Sequence, residues 1–90
     1  MRVKGHRAIK KRMLDPAQLR AARALLDWSR QDLADASGTA RETVQGFEAR
    51  GSNPKRSTLI AWEKALRKAG VVFIDADETQ GPGVRLRDPR

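Results

Sequence analysis

The side chains of this 90-residue sequence that could carry chemistry are guanidinium and amide groups rather than nucleophiles or metal ligands. The chain has no cysteine and a single histidine, His6, which excludes thiolate chemistry, a cysteine-based zinc site and a histidine-centred triad. A glycine-rich phosphate loop is also absent from the sequence. We therefore expect a protein that is not an enzyme and that uses no metal or other cofactor.

Positive charge is concentrated at the N-terminus of the sequence. The chain has 19 Lys and Arg residues against 11 Asp and Glu, a net charge of +8. Six of the basic residues lie within residues 1–12, which contain no acid, so about +2 remains for the rest of the chain. Such an excess favours a polyanionic partner. Residues 1–14 are expected to form a flexible basic arm.

The apolar content gives no sign of a membrane segment. The longest apolar stretch, Val71 to Ile74, is far shorter than the roughly 18 residues that a membrane span needs. We therefore expect a soluble cytoplasmic protein without a membrane partner.

Helix-start and helix-stop signals divide the middle of the sequence. Asp15 before Pro16 predicts a first helix from residue 16 to about 27, with Asp15 as its N-cap. Ser29 and Asp32 have the spacing of a capping box and predict a second, shorter helix that ends at Gly38.

The same capping-box spacing recurs at Thr39 and Glu42 and predicts a third helix over residues 41–49. Val44 and Phe47 are three residues apart, so they share one face of this helix and are expected to be buried. After a loop around residues 51–54, the apolar residues between 59 and 66 predict a fourth helix that ends at Gly70. Residues 15–70 are therefore expected to form one helical bundle.

Residues 71–90 have strand rather than helical character and are expected to form a dimerisation element. Two β-favouring runs, residues 71–75 and 83–87, flank a polar loop with glycine and proline. They predict either a hairpin or strands that pair with a second copy of the chain. The apolar side chains expected at the two-fold interface are Val71, Val72, Phe73, Ile74, Val84 and Leu86.

Two short helices joined by a tight glycine turn within a basic bundle are the pattern of a helix-turn-helix. In this motif the third helix projects a polar face into a DNA major groove about 12 Å wide. The residues expected on or near that face are Arg41, Glu42, Gln45 and Gly46.

At Trp28 to Glu48, followed by Gly51 and Pro54, the sequence resembles the lambda-repressor-like, XRE-type helix-turn-helix family. The resemblance covers about residues 19–66 and rests on five positions: Leu33, Ala34, Gly38, Val44 and Glu48. It implies a mostly α fold, a bundle of four to five helices; the C-terminal β-hairpin or dimerisation strands expected above lie outside the family motif. It also implies an ion pair between Arg23 and Glu48 that fixes how the third helix is presented.

The family resemblance further implies which residues contact DNA. Expected base contacts are Ala40, Arg41, Glu42, Gln45 and Gly46. Expected phosphate contacts are Arg30, Gln31, Thr39, Thr43, Asn53, Lys55 and Arg56. The Arg41 guanidinium can donate two hydrogen bonds to guanine O6 and N7. Arg30 departs from the family, which usually has glutamine there, but an arginine can also bind a phosphate.

Some of these residues have simpler structural interpretations. Glu42 suits the role of a capping acid better than that of a base contact, because its charge is repelled by phosphates. Trp28 and Trp62 fall at core positions of the motif, so packing is favoured over base stacking. Arg41, Gln45 and Arg30 could also be solvated surface residues.

The functional hypothesis is a sequence-specific double-stranded DNA-binding transcriptional regulator that acts as a homodimer on a palindromic operator. The alternative is a protein-interaction module, such as an antitoxin or anti-activator, that binds a protein partner through the same bundle. A third helix without base-reading side chains would favour that alternative, whereas Arg41 and Gln45 favour DNA.

Overall fold

Six elements of secondary structure make up residues 14–89, the part of the chain that the computed structural model describes. In chain order they are α1 (Pro16–Leu26), α2 (Arg30–Ser37), α3 (Arg41–Arg50), α4 (Arg56–Lys68), β1 (Val71–Ile74) and β2 (Gly83–Leu86). The predicted helical bundle with two C-terminal strands is confirmed. The predicted basic arm lies outside the described residues, except for Leu14, which is buried in the core.

Capping boxes start the first two helices. At α1 the backbone N–H of Gln18 donates to the Asp15 carboxylate (2.8 Å), and the backbone N–H of Asp15 donates to the Gln18 side chain (3.0 Å). Ser29 and Asp32 make the equivalent pair of hydrogen bonds at α2, as the sequence predicts. Each box satisfies amide groups that a helix N-terminus leaves without helical partners.

The turn between α2 and α3 requires a glycine. Gly38 has a φ of +72°, in the left-handed region, and its N–H donates to the carbonyl of Ala34 to close α2. Residues with a Cβ rarely adopt this backbone conformation. Gly38 therefore allows the chain to reverse within a short turn, and this short turn holds α3 against α2.

The capping box predicted at Thr39 and Glu42 is wrong. The N-cap of α3 is Ala40, and no side chain caps this helix. Thr39 Oγ1 instead accepts a hydrogen bond from the Trp62 ring nitrogen (2.9 Å) and lies 2.9 Å from Ser37 Oγ. Thr39 thus satisfies the indole N–H of a fully buried tryptophan, a tertiary demand that the local sequence pattern does not reveal.

One apolar core joins all four helices to the hairpin. Its fully buried side chains are Leu19, Leu33, Val44, Trp62 and Leu66. The Phe47 and Trp62 rings pack with their centroids 5.4 Å apart, and Trp28 packs at the edge of the core. Both tryptophans therefore have the packing role that the sequence favours.

The two strands pair with each other in one chain as an antiparallel hairpin. Val71 is opposite Leu86 and Phe73 is opposite Val84, so these four side chains share one face of the sheet. Val71 is buried, and Phe73 and Val84 pack against the helical core. These three residues were expected at a dimer interface; within the single chain they pack against the bundle, and the dimer stays a prediction.

A buried glutamine fastens the hairpin to α1. The Gln18 amide nitrogen donates to the carbonyl of Gly83 (3.2 Å), while its amide oxygen accepts the capping hydrogen bond of α1. Gln18 is only 9% exposed. At the other end of the hairpin, the Arg87 N–H donates to the Gly70 carbonyl (2.7 Å), which fixes β2 to the end of α4.

Replacing Gln18 by alanine should therefore loosen the hairpin and lower the free energy of unfolding by about 1–2 kcal/mol, because the partly buried Gly83 carbonyl loses its donor and the Asp15 N–H loses its acceptor. Urea denaturation measures the stability, and hydrogen exchange measures the protection of residues 71–74 and 83–86. Gln31→Ala, at an exposed position of α2, is the control and should change neither. Unaltered hairpin protection in Gln18→Ala would show that apolar packing and the Arg87 to Gly70 hydrogen bond hold the hairpin without Gln18.

Candidate nucleic-acid interface

Helix α3 buries one side and presents a polar side. Val44, Phe47 and Glu48 are buried, and the helix packs against both α1 and α2. Arg41 and Glu42 are exposed, as is the N-cap Ala40, and Gln45 is half-exposed. These exposed positions follow one another at helical spacing, so they form a continuous surface along the helix.

A buried carboxylate anchors the inner side of α3. Glu48 has no exposed side-chain surface, and its two oxygens accept from Arg23 Nε and Nη2, each at 2.7 Å. This bidentate geometry is the strong arrangement for a guanidinium and a carboxylate. The ion pair that the family resemblance implies is therefore present, and it joins the middle of α1 to the end of α3.

Two further arginines complete the attachment of this end of α3. Arg30, the first residue of α2, donates from Nε to the same Glu48 carboxylate (3.0 Å). Arg20 of α1 donates to the Glu48 backbone carbonyl (2.7 Å). Arg23 also donates to the Trp28 carbonyl (2.8 Å), so the cluster spans α1, α2, α3 and the loop after α1.

The arginines decide the ionisation state of Glu48. Burial raises the pKa of its carboxyl group, whereas hydrogen bonds from Arg23 and Arg30, and then their charges, lower it. The arginines have the larger combined effect, so the pKa lies below the ordinary value of 4.5. Glu48 is therefore a buried anion that compensates two guanidinium groups.

The residues expected to contact phosphates differ in their availability. Arg30 has one nitrogen on Glu48, yet about a third of its side chain is exposed (32%). The exposed Gln31 donates its amide to Asp35 (2.8 Å), and Thr43 is half-buried. All three can still be reached from solvent.

Thr39 does not have a free donor for a phosphate. Ser37 Oγ donates to the Leu33 carbonyl, so the proton shared between the two hydroxyls comes from Thr39. The backbone N–H of Thr39 donates to the Ala34 carbonyl (3.0 Å). We therefore correct the expected phosphate contact at Thr39, because both of its donors are used inside the protein.

Basic side chains surround the loop from α3 to α4. No acidic residue lies between Glu48 and Glu63, whereas Arg50, Lys55 and Arg56 do. Asn53, Lys55 and Arg56 are all exposed, as their expected role requires. Lys55 is the N-cap of α4 and no side chain caps that helix, so its first amide groups resemble those of α3 in lacking a side-chain acceptor.

Gly46 is not exposed, contrary to the expectation that it lies at the surface of α3. It is buried, and a Cβ placed on it would be 3.1 Å from Arg50 Nη2 and 3.3 Å from Ser52 Oγ. The side chains of Arg50 and Ser52 therefore cover it. Arg50 was not predicted to belong to α3, because the third helix was predicted to end at residue 49, one residue too early.

The described residues contain neither a metal-ligand cluster nor a membrane-spanning helix. Within residues 14–89, no group of three or more acidic or histidine side chains is placed to hold a metal ion. A membrane-spanning segment is also not found there, since every helix of that part is too short or too polar to cross a bilayer.

Comparison with known families agrees with this geometry. A family model described as helix-turn-helix matches residues 19–71, more than half of the chain. The match covers all four helices from Leu19 of α1 onward and ends at the first residue of β1. A search of curated proteins finds no match.

Because Glu48 fixes α3, we expect Glu48→Gln to lower the free energy of unfolding by about 3 kcal/mol at pH 7, where two guanidiniums lose their anion. The folded-state pKa is lowered, so the stabilisation is complete above about pH 4.5 and disappears as the pH falls through the lower folded value. The difference between wild type and variant should therefore shrink in acid, as measured by urea denaturation at several pH values.

Glu63→Gln is the matched control, because Glu63 pairs with Arg67 within α4 on a more exposed surface. That change should cost about 0.5 kcal/mol or less. If Glu48→Gln were equally destabilising at neutral and at acid pH, its carboxylate would not have a lowered pKa in the folded protein.

Proposed function

Because the chain belongs to the XRE-type, lambda-repressor-like helix-turn-helix family of DNA-binding regulatory domains, we propose that it is a transcriptional repressor that binds a specific double-stranded DNA sequence at promoters. The observation that carries the proposal is the polar surface of α3. Arg41 and Gln45 lie on that surface, one turn apart, while the buried residues Val44, Phe47 and Glu48 fix the helix to the rest of the bundle. A helix held in this way can enter a major groove as a rigid body.

Arg41 is the proposed principal base-reading residue. It is exposed at the N-terminal end of α3, the end that approaches the base edges in this motif. Its guanidinium can donate two parallel hydrogen bonds to guanine, and Gln45 can pair similarly with adenine. Ala40 and Glu42 lie beside Arg41, where Ala40 can contact a thymine methyl group and Glu42 can accept from a cytosine amine.

Phosphate binding is assigned to the surface around α3. The loop residues Asn53, Lys55 and Arg56 form its basic border, and Arg30, Gln31 and Thr43 lie on α2 and α3. The first amides of α3 and α4 add hydrogen-bond donors that an anion can accept, since neither helix has a side-chain cap. These contacts carry no sequence information and instead position α3 over the groove.

We further propose that two copies associate through the outer face of the hairpin. That face has Val72 opposite Arg85 and Ile74 opposite Gly83, and the Ile74 Cδ1 would be 3.9 Å from a Cβ on Gly83. Ile74 is 42% exposed and lies beside the half-buried Val72 on this face. A two-fold dimer would present two copies of α3 about 34 Å apart to a palindromic operator.

The direct test is repeated selection of random duplex DNA by the purified full chain at roughly physiological salt, followed by sequencing. We expect enrichment of a two-fold symmetric motif. Recovery of unselected sequence that is released steeply with salt would mean nonspecific phosphate binding. That result would overturn the proposal in favour of a module that binds a protein partner.

Single substitutions separate base reading from phosphate binding. Arg41→Ala should cost about 1–3 kcal/mol of binding free energy and relax preference at one position of the selected motif. Lys55→Ala should weaken binding to all sequences alike and reduce the salt dependence. Lys64→Ala, on the exposed side of α4, is the control and should bind like wild type. A uniform loss with Arg41→Ala would make Arg41 a phosphate contact.

The hairpin interface has its own matched pair of variants. Ile74→Lys should convert the dimer to a monomer, because a charge would be buried between the two copies. Ile60→Lys changes an isoleucine of similar exposure on α4 (45%) and should leave the dimer intact. Light scattering gives the mass of each. The hairpin proposal is wrong if the wild-type protein is a monomer. It is also wrong if Ile60→Lys dissociates the dimer and Ile74→Lys does not.

A further inference from the structure

Arg50 folds back over the exposed side of α3 instead of extending from its C-terminal end. Arg50 is in the last turn of the helix, and its Nη2 and Cζ lie 3.1 Å and 3.9 Å from the position of a Cβ on Gly46. The guanidinium therefore lies against the position of a side chain at residue 46, and a Cβ there would displace it by a few tenths of an ångström. Among the described residues, no acidic side chain is within ion-pair distance of Arg50.

The glycine at position 46 makes this placement possible. A glycine inside a helix is less favourable than alanine by about 1 kcal/mol. Gly46 has an ordinary helical conformation, so its backbone does not require glycine. What alanine would disturb is the guanidinium of Arg50 and the nearby Ser52 hydroxyl. Gly46 therefore lowers the stability of the helix but leaves room for the guanidinium of Arg50.

This position lies beside the base-reading surface of α3. Residue 46 follows Gln45 and is one turn beyond Glu42, both of which have exposed side-chain surface. A guanidinium at this place is one helical turn closer to the N-terminal end of α3 than the Cα of Arg50. It adds a two-pronged donor to the exposed side of α3, on the face that residue 46 shares with Glu42.

We propose that Arg50 is a second base-reading residue, which uses the space above Gly46 to direct its guanidinium to the two acceptors of a guanine edge. The proposal rests on the proposed function and extends it, because Arg50 replaces Gly46 as the residue that determines specificity at this point of the helix. Gly46 is a positioning residue for Arg50. An arginine fork fits guanine O6 and N7 in a way that a lysine ammonium does not reproduce.

The test uses the selected duplex and a set of duplexes with single base-pair changes. Arg50→Ala should lose at least about ten-fold in affinity for the selected duplex and lose preference at one base pair other than that of Arg41. Arg50→Lys should keep nonspecific affinity but not that preference. Arg67→Ala, a change in the last turn of α4, is the matched control and should leave preference unchanged.

Gly46→Ala separates this role from a structural one. Its melting temperature should equal or exceed that of wild type, because alanine favours the helix and the guanidinium can swing aside. It should nevertheless lose preference at the same base pair as Arg50→Ala. The double variant Gly46→Ala/Arg50→Ala should bind the selected duplex no more weakly than Arg50→Ala alone, since both changes remove the same interaction.

Three results would overturn the proposal. Retained preference in Arg50→Ala, with a wild-type motif still selected, would reject the role of Arg50 and leave the proposed function standing. A uniform loss across all duplexes would make Arg50 a phosphate contact. Failure of the wild-type protein to select any motif would reject both the proposed function and this role.

Discussion

The buried carboxylate of Glu48 is the interaction on which the arrangement of the helices depends. It belongs to α3, yet its partners Arg23 and Arg30 come from α1 and α2, so one anion fixes three helices at once. An unpaired charge at this depth would cost several kcal/mol; Arg23 donates to both carboxylate oxygens, and Arg30 adds a third hydrogen bond. The apolar contacts of Val44 and Phe47 hold α3 close, and the ion cluster fixes its rotation. The exposed surface of α3 is a consequence of both.

Local signals explain how much of this fold the sequence predicts. Asp15, Ser29 and Gly38 act through hydrogen bonds or backbone angles within a few residues, so their roles are visible in the sequence and are confirmed. The Arg23 to Glu48 pair is different, because the residues are 25 positions apart and neither shows its partner. Only the family resemblance joins them. The strand pair was also predicted, but whether it pairs within one chain depends on the core that receives it.

The sequence misleads where a tertiary contact competes with a local pattern. Thr39 has the spacing of a capping residue, but the buried indole of Trp62 takes its hydroxyl. Val71, Phe73 and Val84 have the alternation of an exposed interface strand, but the helices cover their face. At Gly46 the sequence gives a glycine in a helix and an arginine four residues later. That spacing places both residues on one side of the helix, but the close approach of the guanidinium to the glycine is visible only in the side-chain geometry.

The arginines of the bundle form two groups, those bound to partners inside the protein and those without an acidic partner among the described residues. This difference matters for how a domain of low net charge binds a polyanion. Residues 14–89 contain twelve Lys and Arg against eleven Asp and Glu, so net charge alone attracts DNA only weakly. Arg20 and Arg23 are bound to the backbone or carboxylate of Glu48, and their charge is used internally. Arg41, Arg50 and Arg56 have no acidic partner among the described residues and lie on or beside α3. Glu48 compensates the inner arginines and leaves the charges of Arg41 and Arg50 available on the helix that it also orients.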